Sequence, residues 1–108
     1  MSEYLFIQSQ EPFTEVRAKA QYDLAIRLAN AGNNVRVLLV QNGVVPARNG
    51  ARCEAFDALN ASQVSIVAES MALTQREIGA DQLKAGVNVS ELDIVVDALL
   101  AGHKVIWN

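Results

Sequence analysis

The apolar positions of this chain change their spacing several times, and each change marks an element. Tyr4-Leu5-Phe6-Ile7 is a continuous apolar run, the pattern of a strand buried on both faces. Pro12 breaks the chain after it. Thr14 has the side chain of a helix N-cap, and Glu15 suits the positive helix N-terminus. Val16, Ala20, Leu24 and Leu28 then recur every four residues, with Ala25 and Ala29 widening the stripe. That spacing predicts an amphipathic helix, ended by Gly32. Glu15–Lys19 and Asp23–Arg27 are acid-before-base pairs for its wet face.

Residues 35–40 (VRVLLV) read as the strongest strand. Asn42-Gly43 marks a turn, and Pro46 with Asn49-Gly50 extends the loop. A short helix fits about 51–59, with Phe56 and Leu59 one turn apart. Residues 64–68 predict a third strand. Thr74-Gln75-Arg76-Glu77 has capping-box spacing and predicts a helix after it, limited by Gly79. Asp81 can cap one further turn over 82–84, and 87–89 is a weak fourth strand. Ser90 opens a late helix with the stripe Leu92, Val95, Val96, Leu99 and Leu100, stopped by Gly102. Residues 104–107 make a last short strand. Strands alternating with helices imply right-handed crossovers and a mostly parallel sheet of four to five strands, covered on both faces. Sixteen alanines suit helices lying close to a sheet.

Composition narrows the class. The chain has 108 residues, one domain's worth, and no linker divides it. Apolar residues make up 51% and charged residues 19%, so this is a core-forming sequence and not a disordered one. A net charge of −3 argues against a nucleic-acid partner, which would ask for a basic surface. No apolar run approaches the roughly 20 residues of a membrane span, and the N-terminus lacks a secretory pattern. A cytoplasmic protein without a membrane partner is expected. One cysteine, Cys53, allows neither an internal disulfide nor a structural zinc site, and one histidine adds little. Neither a metal nor a cofactor is expected. Mean hydropathy is +0.14, a surplus of apolar surface that fits an oligomer interface.

In open α/β sheets, ligands bind at the carboxyl ends of the strands. The polar stretches Gln8-Ser9-Gln10-Glu11, Gln41-Asn42-Gly43 and Glu69-Ser70-Met71-Ala72 should converge there. No dinucleotide fingerprint or P-loop is present. Ser70 lacks a nucleophile elbow, and the sole His103 is distant in sequence, so capping is the simpler role for Ser70. Glu69 reads as an acid/base group at the strand tip or, more simply, as a carboxylate that is solvated or paired with Arg76. Arg76 reads as a surface salt-bridge residue or as a contact for an anion or substrate. His103 follows the helix-ending Gly102, and Trp107 reads as packing or interface area. The candidate pocket is thus Ser9, Asn42, Glu69, Ser70 and Arg76.

Three stretches resemble the DsrE/DsrF/TusD-type sulfur-relay family. They are Asn34-Val35-Arg36-Val37 leading into Gln41-Asn42-Gly43-Val44, residues 67–78, and Leu83-Lys84-Ala85-Gly86-Val87. The resemblance spans nearly the whole chain, 1–108, through element order. It implies a single flavodoxin-like, three-layer domain and a cytoplasmic trimer or hexamer, made of like copies or of related subunits. It also implies cysteine-persulfide transfer, with the reactive Cys four residues before an Arg-Gly. Arg76 matches the family arginine, which makes it the best polar candidate for anion or substrate contact; four residues before it stands Ala72, and Glu77 replaces the glycine. A thioether such as Met71 cannot substitute.

Cys53 is the remaining nucleophile. It falls near the start of the second helix, with Arg48 and Arg52 nearby in sequence; both features favour a thiolate. Its alternative is a small buried hydrophobe. Three functions follow as expectations. One is a persulfide carrier, sulfurtransferase-like at most, using Cys53 or a partner's cysteine. Another is a non-catalytic oligomeric binding or assembly module. The third is a small-ligand-binding protein or small enzyme using the candidate pocket.

Overall fold

The computed structural model describes residues 1–107. Five parallel strands form one sheet in the order β4-β3-β2-β1-β5. They are β1 (Glu3–Gln8), β2 (Asn34–Leu39), β3 (Ser65–Glu69), β4 (Val87–Ser90) and β5 (Lys104–Trp107). The helices are α1 (Val16–Asn30), α2 (Glu54–Ala61), α3 (Ser70–Gln75) and α4 (Asp93–Leu100). Two 3-10 turns, Gln41–Ala47 and Ala80–Gln82, complete the path.

Topology follows from crossover handedness. The chain steps from β1 to β4 in one direction, so right-handed crossovers put α1, α2 and α3 on one face. It then returns past β1 to β5, which puts α4 on the other. Two apolar clusters record this. Phe6, Val37, Leu39 and Ile66 pack with Tyr22, Ala25, Phe56 and Leu59 on the first face. Leu5, Ile7, Leu38 and Val40 pack with Ala98 on the second, backed by Ile94 and Val95. This is the three-layer, flavodoxin-like architecture expected, with a thin third layer. The strand beside β1 on its outer side is the last one, β5.

Local readings shift in several places. Glu15, not Thr14, caps α1, accepting from the Arg17 amide at 3.2 Å, while Thr14 bonds Glu11. The buried face of α1 is Ala18, Tyr22, Ala25 and Ala29, and Val16 is exposed. Every-four spacing fitted two phases, and the small alanines won because they let α1 approach the sheet closely. Neither expected i,i+4 pair forms; Arg17 pairs with Glu15 instead. The stretch after β2 is a 3-10 turn and not an open loop, with Gly43, Val44, Pro46 and Ala47 buried. Thr74 lies near the end of α3 instead of opening a helix after it. Leu92, not Ser90, precedes α4, and of its expected stripe Leu92, Val96, Leu99 and Leu100 face outward.

Candidate functional site

The polar segments after β2 and β3 meet, but they build two clefts instead of one pocket. Between them runs α3, whose short course is fixed by caps at both ends. At its start, Glu69 turns its carboxylate back onto the helix. Oε2 accepts from the Met71 amide at 2.7 Å, and Oε1 from the Ala72 amide at 3.0 Å. The glutamate is largely buried, and these two bonds, with the positive helix end, compensate its desolvation. At its finish, the Glu77 amide donates to Thr74 O at 3.1 Å and the Ile78 amide to Leu73 O at 2.9 Å. This is the Schellman arrangement, closed by the apolar pair Leu73 and Ile78. Gly32 and Gly102 end α1 and α4 in the same way, at φ +96° and +79°. Glu77 holds that position at φ +56° with a full side chain.

The first cleft opens at the carboxyl ends of β2, β3 and β5, next to the reversal of strand order. It encloses about 240 Å³. Glu69 and Ala72 line it, with Val40 and Gln41 from the β2 side and Leu92 and Trp107 from the α4 side. Gln41 at its rim also has positive φ, +51°. Gly43 sets the approach of this segment to β1, since a Cβ there would overlap the Gln8 carbonyl oxygen. A glycine in the Asn42-Gly43 turn is therefore a packing requirement.

The second cleft lies between the 3-10 turn after β2 and the C-terminal end of α3. Arg76 is its anchor. Nη1 donates to Ala72 O at 3.1 Å and Nη2 to Asn42 Oδ1 at 2.9 Å. Asn42 and Arg76 are thus brought together, 34 residues apart in sequence.

The other expected pocket residues part from this pair. Glu69 belongs to the first cleft and does not pair with Arg76. Ser70 donates from Oγ to Glu91 Oε2 at 2.8 Å, an exposed contact toward the segment after β4. Ser9 lines neither cleft, and its backbone faces Gly43. Gln8 is the last residue of β1 and is fully buried.

Cys53 is the N-cap of α2, its Sγ accepting from the Phe56 amide at 3.4 Å. It is 8% exposed and lines neither cleft. Tyr22 packs edge-on against Phe56 at 6.1 Å, and its hydroxyl is buried without a partner among the described residues. Burial pushes the Tyr22 phenol well above its ordinary value, with smaller contributions from Cys53 and Glu11. Among the described residues no group of three or more His, Cys, Asp and Glu could hold a metal. No described helix is long and apolar enough to cross a membrane.

A doubly wound parallel sheet with a small cleft at the carboxyl ends of its strands defines the class of protein. The chain belongs to the DsrE/DsrF-like family, whose model matches residues 2–107. The YchN protein from E. coli shares its fold, with a TM-score of 0.87, 19% identity and 100% of each chain covered. So does MTH1491 from Methanobacterium thermoautotrophicum, a protein of unknown function, with a TM-score of 0.78, 19% identity and 100% of each chain covered. No curated protein matches the chain.

Proposed function

We propose that this chain is a subunit of a cytoplasmic sulfur-relay assembly that keeps the family fold without itself carrying the sulfur. One observation supports the reading most directly. Where the resemblance places a reactive cysteine, the cleft presents the methyl group of Ala72, and the amides of Met71 and Ala72 are already occupied by Glu69. The cleft therefore has neither a nucleophile for sulfane sulfur nor free amides to hold an anionic one.

A carrier role for Cys53 is the competing reading, supported by its place at the start of α2. Against it stand its burial and the use of Sγ as a helix cap. A carrier thiol has to be reached by both a donor and an acceptor. In the proposed reading the chain assembles with copies of itself through the outward face of α4, and a related subunit supplies the cysteine that carries the sulfur.

The test is intact-mass spectrometry after incubation with a persulfide donor. The expected result is no sulfur on the wild-type chain, and reductant-reversible sulfur on Cys53→Ser/Ala72→Cys, whose new thiol lines the cleft. Sulfur on the wild type that disappears in Cys53→Ser would overturn the proposal in favour of a Cys53 carrier.

A further inference from the structure

We propose that the second cleft binds a small organic oxyanion, a carboxylate or a phosphate ester, through Arg48 and Arg76. Its volume, about 510 Å³, lies in the range of small-molecule sites. Its walls are set by backbone bonds between distant segments. The Asn49 amide donates to Gln82 O at 2.6 Å, and the Lys84 amide to Ala47 O at 2.8 Å. Arg48 and Leu83 form an antiparallel bridge between the same two segments. The site is thus formed before any ligand arrives.

The polar rim is rich in donors. The Asn42 oxygen is taken by Arg76, which leaves the amide nitrogen. Gln82 Oε1 is taken by the Gly79 amide at 2.7 Å, which again leaves the nitrogen. Arg76 spends one donor on each Nη and is held rigid by doing so. Arg48 makes no side-chain hydrogen bond or ion pair among the described residues. Its guanidinium fork is free.

A ligand that only accepts is the complement of such a rim, and two guanidinium groups select a charged one. Val45 and Ile78 give the cleft apolar wall, which suits an anion with a carbon skeleton over a bare inorganic ion. Glu77 is the one carboxylate lining it. It forms no ion pair with either arginine and leaves the rim with a net positive charge. Keeping a glutamate at positive φ, where the equivalent helix ends have glycine, is backbone strain of the kind that gathers at binding sites. The inference does not depend on whether the chain carries sulfur.

The experiment is a nuclear magnetic resonance titration of the arginine Nε–Hε and carboxamide signals. Acetate and methyl phosphate serve as probes, at ionic strength held constant with chloride. The expected result is saturable shifts at Arg48, Arg76, Asn42 and Gln82 with at least one probe; which probe saturates identifies the oxyanion. Arg48→Gln should weaken binding about tenfold while leaving the unfolding midpoint unchanged, because its side chain holds nothing in the fold. Glu77→Gln should tighten binding. Shifts that never saturate with either probe overturn the proposal, as does equal affinity in wild type and Arg48→Gln.

Discussion

Glu77 and Tyr22 show how far single residues depart from what their surroundings would prefer. The left-handed region costs a side-chain-bearing residue about 1–2 kcal/mol, and glycine gives back part of that as freedom in the unfolded chain. Glu77→Gly should therefore stabilise the protein by about 0.5–1 kcal/mol, read from a denaturant midpoint. Tyr22 buries a hydroxyl with no described partner. Tyr22→Phe should be neutral or stabilising by about 1 kcal/mol, since it removes an unsatisfied polar group from a site that keeps its ring.

The same residue makes stability depend on pH. The folded phenol is raised above its ordinary 10.0, so its contribution is full below about pH 10. It is lost as pH rises beyond that, because the unfolded chain releases the proton first. Urea titrations at rising pH should show this alkaline loss in the wild type and a shallower one in Tyr22→Phe. Equal slopes would show that other groups carry the alkaline transition.

At the scale of elements, α3 depends on its caps more than on its length. Six residues cannot hold a helix by propensity, since nucleation alone is unfavourable. Glu69 satisfies two of its first amides, and the Leu73–Ile78 closure fixes its end. Glu69→Ala should cost about 1–2 kcal/mol and loosen the segment between the two clefts. Hydrogen exchange of the Met71 and Ala72 amides would report it directly, and unchanged protection would contradict the capping role. The sequence shows the ingredients of this element but not its position. Thr74-Gln75-Arg76-Glu77 has capping-box spacing, yet the helix ends there instead of beginning. A nearer cap, Glu69, stood at the tip of β3, and packing of Ala72 and Leu73 on the first face fixed the phase.

Across the whole molecule, the return crossover to β5 leaves α4 as the thin layer on the second face. Beside the exposed Asp93 and Asp97, its outward residues include Val96, 56% exposed, Leu99, 59%, and Leu100, 83%, and Trp107 of β5 is 68% exposed. This is the surface that the proposed assembly would cover. If copies of the chain assemble through it, Val96→Glu/Leu99→Glu should move the protein from oligomer to monomer in sedimentation velocity. The fold should persist, because neither side chain reaches the core. A wild-type monomer at all concentrations would remove the assembly part of the proposed function.

The alternation of apolar runs with helical stripes determined the α/β class, the element order and most of the core, because burial on both faces leaves a local signature in each strand. Local spacing also located Asn42 at a strand-end loop, while Arg76 was singled out by the family resemblance. Only the tertiary structure decided that these two join while Glu69, Ser70 and Ser9 part from them. It also placed Arg48 and Gln82 in the same cleft, and it alone decided which face of α1 and α4 turns inward. These outcomes rest on strand order and crossover direction, which join segments tens of residues apart. A helix with apolar residues on more than one side carries no local mark of which side will meet the sheet.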